Sequence, residues 1–320
     1  MVAKLNDMLE SLAQGLRPLG WIVSFSLGEV RVPADEANKI LIEIGENPGK
    51  WLTPISEAQA YRSALSQFSI ENKTYDGDKI TEIERWEIER IAGDDYLTHR
   101  VIHVDEVNSR SKRVAKISLD EQGALKIKFT NDGFRDSTSV YIDMLAKEYD
   151  ERKTHYYSQH FRYIFLKMLE DLDSVRWSGN STFFVPVRHT QRLECIESLM
   201  SKITPFRTTS HRSGLLCVPI PDMGVMDDNF KLYIEDNLMT HIAEESDQVI
   251  DELKKVLERE NSRESTRVRR IKESVQRLER LSDKVAQYSN LLGKKMPLIS
   301  DKIVMTKSKL SAIVDNLLTP

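Results

Sequence analysis

The sequence predicts an α+β protein: an antiparallel β-meander with helices and a small strand–helix–strand unit, followed by an elongated C-terminal helical hairpin or coiled coil. Three observations predict it. The 320 residues hold only 13 Gly and 10 Pro, with none between Gly133 and Gly179 and none between Gly224 and Gly293. A chain needs such breakers where it turns sharply, so two long intervals without them call for helices and exclude an all-β protein. Residues 79–130 instead alternate polar and apolar with period two, the pattern of a sheet with one wet face. Beyond residue 232, apolar residues recur every seven positions, as in helices packed along a seam.

Element by element, Leu5, Met8, Leu9, Leu12 and Leu16 are spaced for a first helix ended by Gly15 and Pro18. Trp21, Val23 and Phe25 share one face of a short strand, with Gly28-Glu29 as its turn and Val30–Val32 as its expected hairpin partner. Helices are expected over Asp35–Ile44 and after Ser56, which is placed to cap the second. Tyr96–Val107, Lys112–Leu119 and Ala124–Thr130 form strands, separated by the turn-forming runs Asn108–Ser111 and Asp120–Gly123. Lys79–Ile91 is a fourth strand, with helix as the alternative. The stripe Tyr157, Phe161, Ile164, Phe165, Met168, Leu169 and Leu172 predicts a helix, continuous back to about Ser139 through Tyr149, Leu145 and Tyr141. Thr182–Val187, Gln191–Ile203 and Leu215–Ile220 then form strand, helix and strand.

The C-terminal third is helical. Ile242, Val249 and Val256 are seven apart with Ser246 and Leu253 between them, and Ile271, Leu278, Val285 and Leu292 form another set accompanied by Val268 and Val275. The registers do not join, which places a break within Glu260–Thr266. Leu232–Glu260 carries nine acidic and three basic residues, and Arg263–Lys284 eight basic and four acidic. Opposite signs favour two helices folded back on each other over one rod. Gly293–Pro297 is a turn before a last helix through Ile303, Leu310, Ile313, Val314 and Leu317. The expected divisions are 1–133, an N-terminal α+β region with the sheet; 134–223, the long helix and the strand–helix–strand unit; and 224–320, the coiled-coil-like helices.

Composition restricts the function classes. Forty per cent apolar residues are enough for a packed core. No run approaches the ~18 apolar residues of a membrane span, and Lys4, Asn6, Asp7 and Glu10 interrupt any signal-peptide core. Cys195 and Cys217 are distant and outside any CxxC spacing, which excludes a disulfide framework and a four-cysteine zinc site. A cytoplasmic protein without membrane partners is expected. The net charge of −4 argues against coating by nucleic acid but leaves room for a local basic patch.

No phosphate-binding loop, dinucleotide fingerprint, HExxH or GxSxG is present. His99 and His103, with Asp105 beyond, share a strand face that is expected to be wet, opposite Ile102 and Val104. His155 and His160 point apart on a helix, and Glu82, Glu84, Glu87 and Glu89 near Trp86 are expected at the surface. Tyr156, His160 and Tyr163 form a second stripe that would stack on bases or simply be covered on two sides. No catalytic, cofactor or metal site is therefore expected. The candidate protein interface is the seven-spaced set Ile242, Val249, Leu253, Val256, Ile271, Val275, Leu278 and Val285. The candidate nucleic-acid surface is the basic helical face Arg263–Arg280, with Arg263, Arg267, Arg269, Arg270, Lys272 and Arg277.

Gly20-Trp21-Ile22-Val23 with Ala58–Ala64, and Ser178–Pro186 closing at Val218–Asp222, carry a resemblance. Over residues 20–222 the chain resembles an uncharacterised family found in bacteria, archaea and their phages or mobile elements. Asn180 stands where that pattern has a second glycine. The resemblance implies a mobile-element or phage context and no reaction. The expected function is that of a non-enzymatic assembly or scaffold protein, self-associating or docking a protein partner through its C-terminal helices. Nucleic-acid binding by the Arg263–Arg280 face is the alternative.

Overall fold

The computed structural model describes residues 18–66, 70–76, 79–91, 97–105, 110–179, 181–211, 213–221, 228–257 and 264–318. The helix expected over 5–16 lies outside them. In chain order the elements are β1 (Pro18–Ser26), β2 (Arg31–Pro33), α1 (Ala34–Glu43), the single turn α2 (Pro48–Trp51), α3 (Glu57–Ser66), β3 (Ile70–Asp76), β4 (Lys79–Arg90), β5 (Thr98–Asp105), β6 (Arg110–Leu119) and β7 (Leu125–Phe129). They continue with α4 (Arg135–Thr154), β8 (His155–Tyr157), α5 (Ser158–Glu170), β9 (Val175–Ser178), β10 (Thr182–Pro186), α6 (Thr190–Ile203), β11 (Gly214–Pro221), α7 (Asp228–Leu257), α8 (Glu264–Leu292) and α9 (Pro297–Leu318). The α+β class holds, with all strand pairings antiparallel.

The chain divides into two compact units at points other than the sequence boundaries. One is residues 31–160; the other joins the described residues up to Val30 to those from Phe161 onward.

In the 31–160 unit, β3 to β7 form a five-stranded meander in sequential order. Period-two patterning makes one face apolar, and α3 and α4 pack with it in a shared core around Tyr61, Trp86, Val101, Ile117, Leu145 and Tyr149. Ser56 caps α3 as its sequence suggests, its Oγ accepting from Gln59 N at 3.2 Å. Tyr149 Oη donates to Gly123 O at 2.7 Å, tying α4 to the left-handed Gly123 (φ 74°) in the β6–β7 turn. The His99–His103 face is the covered one, contrary to expectation. His103 is buried between the rings of Trp86 and Phe134, and Tyr61 Oη lies 3.2 Å from His99 Nδ1. The helices need an apolar face to cover, and Val101, between the two histidines on that face, is wholly buried.

The helix expected from Ser139 to Leu172 is broken. His155–Tyr157 is extended and pairs with β2, and a new helix starts where Tyr157 N donates to His160 Nδ1 at 3.0 Å. The three consecutive β-favouring rings give the strand its local preference, and the ladder with Arg31–Pro33 realises it.

In the other unit, the sheet order is β11-β1-β10-β9. The strand–helix–strand unit read from sequence is β10-α6-β11, but β1 lies between its two strands. Thus β1 pairs with β10 and β11 and not with Val30–Val32, a correction to the expected hairpin. Gly20 belongs in this central strand because a Cβ there would lie 2.5 Å from Val185 O, against the Phe184 ring. One face of β1 carries Trp21, whose Nε1 donates to Thr190 Oγ1 on α6 at 3.0 Å, and Phe25, whose ring meets Phe165 of α5 at 5.6 Å. The other face carries Ile22 and joins Phe184 in a core with α7, α8 and α9. Helices α7 and α8 are separate and packed on each other and on α9, as the folded-back reading expects.

Candidate functional site

Helices α7 and α8 hold all eight expected interface residues, and the chain itself covers four of them. Ile242, Val249 and Leu278 are completely buried and Val285 nearly so. They share one core with Ile234, Leu238, Leu281, Tyr288 and Ile303, and Ile271 is half-buried against it. Leu253 and Val256 lie on α7 with side chains outside the described set. The buried stripe of α8 is Ser274, Leu278, Leu281, Val285, Tyr288 and Leu292, spaced alternately three and four apart. Val268 and Val275 fall beside it, 60% and 38% exposed. With Ile271 they make a second, short apolar stripe on α8 at spacings of three and four.

The expected basic face is divided. Arg277 turns inward to α7, its guanidinium 2.8 Å from Glu245 and 3.2 Å from Glu252. Arg269 and Arg270 are exposed and lie 3.5 and 3.2 Å from Glu273 on their own helix. Lys272 is exposed. Arg263 lies outside the described residues, and Arg267 is on α8 with its side chain outside them. The expected charge complementarity between consecutive helices is thus realised by Arg277.

A polar cluster that sequence reasoning missed lies where α8 meets the end of α5. The chain leaves α5 through Asp173 in the left-handed region (φ 53°), with Ser174 N bonded back to Leu169 O and Asp173 N to Glu170 O, a Schellman-type stop. Lys284 Nζ donates to Ser174 O at 2.6 Å and Tyr288 Oη to Asp173 O at 2.8 Å, so two residues one turn apart on α8 grip this stop. Burial pushes the Lys284 ammonium down to about 8, against the pull of Asp173, Glu245 and Glu170. Burial, with the charges of Lys284 and Arg176, pushes His241 down to about 3. Asp173 is drawn up by burial, but hydrogen bonds from His189 and Arg188, each 2.9 Å, hold its carboxyl below the usual range. Both atoms gripped by α8 are backbone carbonyls and Lys284 is enclosed, so the cluster clamps helix to turn. The signal in the sequence was a lysine at a seam position, Lys284 beside Val285.

In the 31–160 unit, Gln59 and Ser63 of α3, Arg152 at the end of α4, Tyr157 of β8 and His160 line a small, half-open cleft. Arg152 Nε donates to Glu148 at 2.7 Å, a second guanidinium nitrogen donates to Ser63 Oγ, and the guanidinium lies 4.4 Å over the Tyr157 ring. Burial lowers His160 and raises Tyr157. Ser63 meets a guanidinium and not a base, so no nucleophile is activated there. Tyr156 is buried, its Oη donating to Thr53 O at 3.1 Å; Tyr163, further along α5, is exposed. The expected ring stripe is thus split.

Among the described residues, no group of three or more His, Cys, Asp or Glu is arranged to hold a metal, and neither Cys195 nor Cys217 forms a disulfide. No described helix is long and apolar enough to cross a membrane. The fold and these surfaces define an α+β protein whose polar clusters hold its own backbone. The chain belongs to DUF6744, a family of unknown function, which matches residues 18–317. An uncharacterised family is thus borne out, with a match that runs through the C-terminal helices. Comparisons with curated proteins and with solved structures find no match.

Proposed function

We propose that the protein is a non-enzymatic assembly or scaffold protein that self-associates or docks a protein partner through its C-terminal helices, in a phage or mobile-element system. The members of the seven-spaced set that the chain buries, Ile242, Val249, Leu278 and Val285, are not the contact in this reading. The observation that supports the reading is the exposed pair Val268 and Val275 on α8, on either side of half-buried Ile271 and flanked by exposed Arg269, Arg270 and Lys272. A basic-flanked apolar stripe suits a helix with acidic flanks. The outer face of α7, with exposed Asp236, Glu244 and Asp251, offers such flanks on a second copy. The phage or mobile-element setting rests on the sequence resemblance.

Light scattering over a concentration series, with cross-linking, tests this. The expected result is a mass above the 36.9 kDa of one chain that returns to one chain in Val268→Glu/Val275→Glu, with circular dichroism unchanged. A chain that stays monomeric at every concentration and cross-links to no defined partner at α8 would overturn it.

A further inference from the structure

The meander of the 31–160 unit has a second face, opposite α3 and α4, and its charge is uneven. Strands β5, β6 and β7 together hold seven Lys or Arg and a single acidic residue, Asp105, within a chain whose net charge is −4. Strands β3 and β4 hold six acidic and four basic residues. The positive charge is thus concentrated on three adjacent strands.

Register puts most of it on this second face. Glu89 pairs with Arg100, Arg100 with Lys116, and Lys116 with Lys128, one row across four strands with three consecutive cations. Lys126, two residues along β7, pairs with Ser118 on the same face. Arg113 reaches this face through a β-bulge. It pairs with Ile102 while Ala115 pairs with Val101, leaving Val114 as the extra residue. Strict alternation would have sent Arg113 inward with Ala115 and Ile117. A bulge that re-aims one side chain is a recurrent device at functional edges. Val114 and Ala115 are both buried, while Arg113, Lys126 and Lys128 are exposed. Among the described residues Arg100, Arg113 and Lys128 have no ion-pair partner, and Lys126 lies 3.6 Å from Asp120.

We infer that this face binds the phosphate backbone of a nucleic acid. Strands lie about 4.8 Å apart and alternate residues about 7 Å apart along a strand, so the five cations form a grid over which a phosphate backbone can run. None of Arg100, Ile102, Arg113, Lys116, Ser118, Lys126 and Lys128 is aromatic, so the face offers no stacking platform. The contact is therefore electrostatic and indifferent to base sequence. This surface is separate from the α8 stripe, and either proposal can fail without the other.

The test is fluorescence anisotropy of the full chain with a labelled 20-nucleotide single strand and its duplex, from 50 to 300 mM salt. Binding is expected at low salt, and Arg113→Gln/Lys126→Gln/Lys128→Gln should weaken it by about tenfold or more and flatten the log–log salt slope by about two to three. All three positions are exposed, and unchanged circular dichroism and melting confirm the fold. Arg269→Gln/Arg270→Gln on α8 is expected to leave binding intact. Three outcomes would overturn the inference: no binding at 50 mM salt, loss of binding in the α8 variant with the sheet variant unaffected, or binding to phosphatidylserine vesicles without binding to either oligonucleotide.

Discussion

The two sheets are built on opposite plans. The meander joins each strand to the next in sequence, β3 to β7, so its pairings close through short turns. The four-stranded sheet has at its centre β1, which pairs with strands some 160 and 195 residues away. Its two faces are covered by helices that arrive later still, through Phe165, Thr190 and the α7–α9 core. Closing long loops costs entropy before non-local contacts repay it. The meander therefore depends on local patterning, and the four-stranded sheet on the whole chain.

Fragments break the comparison most forcefully. A 31–160 fragment is expected to melt cooperatively, because its core lies within it. A 161–320 fragment is expected to be unfolded or aggregated, since it lacks the central strand, and adding a peptide of residues 18–30 should restore structure. Circular dichroism and thermal melting decide this; a 161–320 fragment that melts cooperatively alone would refute the plan.

The buried clamp gives the next largest effect. In the folded chain Lys284 titrates near 8, below its ordinary 10.5. Between those values the unfolded state binds more protons, so stability rises with pH. From pH 8 to 9 this contributes about 1 kcal/mol, and Lys284→Met should remove the rise. Denaturant unfolding of both proteins across that range measures it. Above pH 9 the Cys217 thiol, which burial pushes up to about 12, acts in the opposite sense, and buried Tyr288 adds to it at higher pH, so the window stops at 9. The meander, which has no equivalent enclosed cation among its described residues, should not share this slope in the 31–160 fragment.

Gly123→Ala probes the meander's turn. A side chain in the left-handed region costs about 1–2 kcal/mol, and its Cβ would also push the Glu57 carboxylate aside. The variant should melt several degrees lower without loss of cooperativity. The smallest effect is Arg277→Ala, which removes two partly exposed ion pairs and should cost about 1 kcal/mol or less.

Much of this was legible from patterning. The meander strands β5 to β7, the α7 seam at Ile242, Ser246 and Val249, and the break between α7 and α8 follow from periodicity, turn residues and charge sign. Those signals act over a few residues, and burial confirms them. Val268 and Val275 were misplaced because two interleaved sets on α8 have the same seven-residue spacing. Only the partner helices select Ser274, Leu278 and Leu281 as the buried stripe. The histidine face of β5 was misjudged because Ile102 and Val104 outrank His99 and His103 in hydropathy, whereas Trp86, Tyr61 and Phe134 make an aromatic lining that accepts imidazoles.

By itself, then, the sequence determined the α+β class, most elements, the scarcity of Gly and Pro in the helical intervals and the basicity of β6 and β7. Each depends on neighbours within a turn or a strand. The tertiary structure decided that β1 enters between β10 and β11, that His155–Tyr157 leaves the helix to pair with β2, and that Ile242, Val249, Leu278 and Val285 become the chain's own core. It also brought Arg113 into line with Lys116 and Lys128. Strand partners, bulges and covered faces are set by contacts between distant segments, for which no local spacing in the chain is a signal.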